Sequence, residues 1–143
     1  MIGLLLALAL AVPNPTHTPG VVRPMTQAEV CAVRWGTDSR KVTVRMRRQV
    51  FEWYGVPQAR RKDYEVDHLI PRSAGGADDV RNLWPQPWVP WARLKDRLET
   101  RLHKRVCITR DLSLEAAQAV FRGDWRDGYE RYIGPLPPSV EEP

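Results

Sequence analysis

Apolar positions in the chain fall into one unbroken run, two short strand-like stretches and several stripes at helical spacing. Residues 2–12 form the unbroken run, with Leu4, Leu5, Leu6, Leu8 and Leu10 at its centre. Thr26-Gln27-Ala28-Glu29 has the spacing of a capping box, and the pattern predicts a short helix from there to about Val33. Residues 43–54 predict a second helix, with Val50, Phe51 and Tyr54 apolar and Gly55 as its stop. Tyr64-Glu65-Val66-Asp67-His68-Leu69-Ile70 reads as a short strand closed by Pro71. Ser73-Ala74-Gly75-Gly76 is a turn. Asn82-Leu83-Trp84 reads as a second strand, stopped by Pro85 and Pro87. Leu94, Leu98, Leu102 and Val106 recur every fourth residue and predict a helix over residues 91–107. Ser113 caps a further helix to Phe121, and residues 125–133 continue or restart it. Short strands, one turn and several helices give an α+β fold, and 143 residues are expected to make one domain.

The apolar run is too short to span a bilayer, which takes about 20 residues. It suits the hydrophobic region of an export signal. Ala9-Leu10-Ala11 has the small-x-small cleavage pattern, which expects a signal peptide over residues 1–11. Pro13, Pro15 and Pro19 follow, so residues 12–25 are expected to be flexible. Residues 26–133 would form the folded domain, and 134–143, with Pro135, Pro137 and Pro138, a disordered tail. An exported chain meets an oxidising compartment, where Cys31 and Cys107 are expected to pair. Two buried free thiols are the alternative. Without a C-x-x-C spacing a cysteine zinc site is not expected. The expected location is periplasmic or extracellular, without stable membrane association and as a monomer.

Charge adds a partner. Lys and Arg total 22 against 17 Asp and Glu, and 18 of the 22 are Arg. Arg offers a planar donor fork suited to phosphate. Residues 34–62 hold nine basic and two acidic side chains, and 93–110 seven and two, whereas 111–143 hold three and seven. Basic surface is thus concentrated in the stretch that also carries the candidate chemistry. Nucleic acid, bound through its backbone phosphates, is the natural anionic partner. No base-reading module is present, so little sequence specificity is expected.

That chemistry lies between Tyr64 and Cys107. Phosphodiester hydrolysis needs a base to deprotonate water, and neutral His is well poised for this near pH 7. A divalent cation would neutralise the phosphate and leaving oxygen. Adjacent strand residues point to opposite faces, so Asp67 can face a metal while His68 faces water. Glu99 and His103, four apart, share a helix face, with Asp96 three residues before Glu99.

Asp67-His68-Leu69-Ile70-Pro71, Gly75-Gly76, Asp79 and Asn82-Leu83, in this order and spacing, resemble the motif of the His-Asn-His (HNH) endonucleases. The later Lys95-Asp96-Arg97-Leu98-Glu99, Leu102-His103 and Val106-Cys107, with Cys31 and Trp35-Gly36 upstream, are similar to a small exported bacterial branch of that family. The resemblance spans residues 18–134. It implies a ββα-metal core of two short antiparallel strands and a helix, with flanking helices. It implies a metal-dependent endonuclease acting on DNA, with RNA as an alternative substrate. His68 would be the general base, Asp67 the first metal ligand, and Asn82 the brace that holds the His-bearing strand. The third motif residue of compact members lies about ten positions after the Asn; here the candidate is His103, 21 positions after Asn82, assisted by Glu99 or Asp96. One divalent ion is implied, with Mg, Mn, Ni and Zn all compatible with mixed oxygen and nitrogen ligands. Arg72, Arg93 and Arg97 are expected to meet phosphate. Trp84, Trp88 and Trp91 are expected to pack rather than stack on bases. The competing reading is a non-catalytic nucleic-acid-binding module on a degenerate version of the fold. A third is an exported structural domain stapled by its disulfide or metal.

Overall fold

Thr26 opens the first helix as its sequence spacing requires. Its hydroxyl accepts from the Glu29 N–H while the Glu29 carboxylate accepts from the Thr26 N–H. In the computed structural model, which describes residues 10–36 and 38–138, this helix is α1, Gln27–Ala32. Thr43 caps α2, Val44–Trp53. A 3-10 turn, Gln58–Asp63, leads into β1, Tyr64–His68. β2, Leu83–Pro87, pairs with β1 antiparallel, with Asp67 opposite Trp84 and Glu65 opposite Gln86. The segment Trp88–Ala92 then turns into α3, Arg93–Cys107. Ser113 and Asp124 cap α4, Leu114–Arg122, and α5, Trp125–Tyr132. Among the described residues the chain is a mixed α and β fold around one two-stranded antiparallel sheet.

The strand expected to stop at Pro85 continues to Pro87. The Leu69 N–H donates to the Asn82 carbonyl just beyond the paired strands. Counting back from that bond, Pro85 and Pro87 fall at pairs whose second-strand N–H points away from β1. Their missing donors therefore cost the ladder nothing.

Two apolar clusters flank the sheet. One is formed by Leu94, Leu98, Leu102 and Val106 of α3 with Val30, Leu114, Phe121, Trp125 and Tyr129. These four α3 residues are the stripe read from the sequence. The other joins Val50 and Phe51 of α2 to Tyr64, Val66, Leu83 and Trp84 of the hairpin. The bond between Cys31 and Cys107 ties α1 to the end of α3. Trp84 and Trp91 are buried as expected, whereas Trp88 is 45% exposed.

The segments at the two ends of the folded part make contacts of their own. Residues 12–25, expected to be flexible, carry no helix and one bridge, Val22 to Gly76, and they make contacts with the hairpin and its loop. Thr18 is buried and donates to the Leu83 carbonyl, and the Arg23 N–H donates to the Gly75 carbonyl. Leu10 and Ala11 are buried, and their carbonyls accept the indole N–H of Trp84 and of Trp125. The cleavage position expected after Ala11 therefore lies inside this packing. Residues 1–9, most of the expected signal peptide, lie outside the described residues, as do 139–143 of the expected tail. Within 134–138, Leu136 packs on the α3 cluster. Among the described residues, no helix is long and apolar enough to cross a membrane.

Candidate functional site

The end of β1 is shaped by the loop that returns to β2. Pro71 closes the strand and a 3-10 turn, Arg72–Ala74, follows. Gly75 sits at φ 85°, a left-handed conformation that favours glycine. At Gly76 a Cβ would stand 1.7 Å from the Ile70 carbonyl oxygen, so only glycine lets the loop pass. Asp79 caps the 3-10 turn Val80–Asn82 by accepting from the Arg81 N–H. Asn82 is fully buried and spans the loop. Its Oδ1 accepts from the Ile70 N–H, and its Nδ2 donates to the carbonyls of Ile70 and Ala77, each at 3.0 Å. These bonds fix the strand immediately after His68.

His68 and Asp67 both line a cleft of about 250 Å³ at this end of the hairpin. Arg40 and Arg72, Ser73, Asp96 and Glu99 line it as well, with Trp35 and Asp38 from the segment between α1 and α2. His68 is buried, and its Nε2 lies 2.8 Å from Asp78 Oδ1. Burial holds the imidazole pKa below its ordinary value, against the opposing pull of Asp67 and Asp78. Burial alone would raise the Asp78 carboxyl. Hydrogen bonds from the Lys41 N–H and from His68, with the charge of Arg72, outweigh it and hold Asp78 below the usual range. An ionised Asp78 only accepts, so Nε2 carries the proton of a neutral ring, leaving the lone pair on Nδ1. The result is a neutral base oriented by a carboxylate.

Arg72 is drawn in from the other side. It pairs with Asp38 at 2.5 Å, lies 3.4 Å from Asp78 and donates to the Ser39 carbonyl. Arg40 donates to the Val66 carbonyl. Asp67 and Glu99 do meet, but on a lysine. Lys95 Nζ lies 2.9 Å from Asp67 Oδ2, 2.5 Å from Glu99 Oε1 and 2.7 Å from the His68 carbonyl oxygen. The Lys95 side chain is fully buried, and these partners raise its pKa despite the cost of burial. Glu65 projects from β1 two residues before Asp67. Burial, and then the charges of Asp67 and Asp96, push its carboxyl up to about 7. Burial also pushes Glu99 up to about 7, against the pull of Lys95.

The site expected from the sequence is thus assembled in part. His68, Asp67, Glu99 and Arg72 come together at one cleft, with Asn82 behind them. His103 does not join them: its Nδ1 donates to the Ser73 carbonyl at 3.2 Å, because the third turn of α3 lies under the Arg72–Ala74 turn. Arg93 is exposed on α3 and is not among the described lining residues of the cleft. Arg97 donates to the Tyr129 hydroxyl and lines a different hollow with Thr100 and Arg101. Both point away because the leucine stripe, not the cleft, sets the rotation of α3.

The expected metal ligands do not fit as a set. Asp67 and Glu99 are already bridged by an ammonium, and His103 is not among the residues lining the cleft. Among the described residues no three His, Cys, Asp or Glu side chains are grouped so as to hold a metal ion.

Sequence reasoning missed Asp78, Arg40, Glu65 and the role of Lys95. Only Lys95 left a trace. It lies next to Leu94 and four before Glu99, where a lysine beside an apolar stripe has a carboxylate within reach.

Neither protein-family models, nor curated proteins, nor solved structures give a match to this chain.

Proposed function

We propose that this chain is a phosphodiester hydrolase of the His-Asn-His endonuclease family, cutting DNA or RNA with little sequence preference. The observation that carries the reading is the buried His68 ring at the cleft, held 2.8 Å from the Asp78 carboxylate and sharing that cleft with Arg72. The hairpin followed by α3 supports a ββα core, and the Asn82 clamp on Ile70 is the kind of brace that family uses. The disulfide supports an oxidising compartment and so export.

His68 Nδ1 takes a proton from water, and the resulting hydroxide attacks phosphorus in line with the departing oxygen. Asp78 stabilises the imidazolium that forms. Arg72 and Arg40, already facing the cleft, offset phosphate charge. The new bond is P–O from water, the broken bond is P–O to the sugar, and the sugar oxygen is protonated by solvent.

Cleavage of supercoiled plasmid by the oxidised protein tests this. The assay runs with Mg, Mn, Ni and Zn in turn, with chelator, and beside His68→Ala. Cleavage that His68→Ala removes is the expected result. No cleavage under any condition by folded, disulfide-bonded protein overturns it.

The closing of Asp67 and Glu99 onto Lys95 favours a second reading, a nucleic-acid-binding module without catalysis. It predicts salt-dependent DNA binding with no cleavage. Binding measured at two salt concentrations separates it from a purely structural domain, which would show none.

A further inference from the structure

A lysine rarely lies wholly within a protein, and when it does its charge needs partners. Lys95 has them on every side. An ammonium has three N–H donors, and all three are used: Asp67 Oδ2, Glu99 Oε1 and the His68 carbonyl. The rings of Trp84 and Phe121, each 5.3 Å from Nζ, flank it. Its helix is fixed by Leu94 and Leu98 in the core, so its stem begins from a rigid point. Asp67 and Glu99 come from different elements, β1 and α3, and converge on one point. That convergence is what a bound cation requires, and the cation at the point is covalently part of the chain.

We propose that Lys95 is the resident cation of the Asp67–Glu99 pair, standing where the family resemblance seeks a divalent metal ion, so that the native pair is closed to metal. The inference rests on the family reading for where a metal would be sought, but its readout is binding, not catalysis. A metal ion entering between the two carboxylates would have to expel an ammonium from three hydrogen bonds into a buried, aromatic-lined space. A divalent ion competing from solvent has no such burden at an open carboxylate pair. Lys95 Nζ also donates to the His68 carbonyl at the end of β1.

The test is Mn²⁺ titration, followed by electron paramagnetic resonance, of four proteins: the native chain, Asp67→Asn, Lys95→Met and Lys95→Met/Asp67→Asn. Near-ultraviolet circular dichroism checks each for native packing. The native chain is expected to show no stoichiometric site that Asp67→Asn removes. Lys95→Met, with a neutral stem of similar length, is expected to take up one Mn²⁺ per chain. Its affinity should exceed that of any native site by about tenfold or more, since the competing buried charge is gone. The double variant should lose that site. A native chain that binds one Mn²⁺ through Asp67 overturns the proposal, as does a folded Lys95→Met with no gain. Should Lys95→Met not fold, the native chain against Asp67→Asn and Glu99→Gln decides it: a stoichiometric site dependent on both carboxylates overturns it, and its absence supports it. A failed plasmid assay would sink the nuclease reading and leave these binding results standing.

Discussion

His68 Nε2 and Asp78 Oδ1 lie 2.8 Å apart, joining the end of β1 to the loop before β2. The contact sets both the tautomer and the direction of the His68 ring. Asp78→Asn exchanges a pure acceptor for an amide that can also donate, which releases the tautomer. Hydrolysis should fall by about a hundredfold or more with folding intact, a size typical of a lost acid–base arrangement. The pH profile carries a second signature. The folded imidazole titrates below its ordinary value of about 6.5, so the acid limb of kcat/KM should lie below pH 6.5. The same depression stabilises the fold in full above about pH 6.5, and that contribution is lost as pH falls toward the folded value. An acid limb above pH 6.5 would rule out His68 as the base.

Asn82 makes three hydrogen bonds at 3.0 Å while fully buried. Asn82→Ala leaves the Ile70 N–H and two carbonyls without those partners. A loss of about 2–4 kcal/mol is expected, since each unsatisfied buried group costs about 1–3 kcal/mol. Urea denaturation measures it. Asn82→Asp should not rescue, because a carboxylate cannot donate to the carbonyls of Ile70 and Ala77.

Glu65 tests the charge balance of the cleft. Its carboxyl is pushed up to about 7 by burial and by Asp67 and Asp96. A raised folded pKa means the fold favours the protonated acid, so its contribution is lost as pH rises from about 4.5 through 7. Glu65→Gln should therefore melt above the native chain at pH 8, with the gain shrinking toward pH 4.5. Melting curves at the two pH values give the answer; a gain larger at pH 4.5 would contradict it.

The Cys31–Cys107 bond closes a loop with a sequence separation of 76. Replacing both with Ser should cost about 4 kcal/mol in the chain-entropy model. Denaturant midpoints of the oxidised native chain and of the double variant compare them. Both cysteines lie outside the cleft lining, so hydrolysis below the midpoint should be nearly unchanged.

The Leu10 and Ala11 carbonyls bear on where a stable chain can begin. Each accepts a buried indole N–H, from Trp84 and Trp125. A chain starting at Val12 leaves both donors without these acceptors and uncovers the residues beneath Leu10. It should be less stable than one starting at Leu10 by about 2–5 kcal/mol, the cost of two unpaired buried groups. Thermal melts of the two chains, with tryptophan fluorescence, report the difference.

Local pattern determined much of this protein. The i, i+4 leucines set α3 and its buried face, because helical periodicity and burial are both properties of consecutive residues. Capping residues Thr26 and Ser113 placed helix starts, since each satisfies a backbone donor within three positions. Asp67, His68, Gly76 and Asn82 stood out through their resemblance to the His-Asn-His motif, whose residues lie close together along the chain. The folded structure alone decided who meets whom across long separations. Asp78 is ten residues from His68, beside an equally plausible Asp79, and only the path of the loop aims one at the ring and the other at Arg81. Spacing puts Lys95 within reach of Glu99 alone, and only when β1 is laid against α3 are all three of its donors filled. His103 shares a helix face with Glu99, but the turn at Ser73 captures its ring first. The proline-rich stretch 12–25 has no pattern of its own, and it makes its contacts where the hairpin and the Gly75–Gly76 turn offer it partners. Spacing along a chain determines faces; which faces are brought together, and which charge reaches a shared point first, is settled by packing.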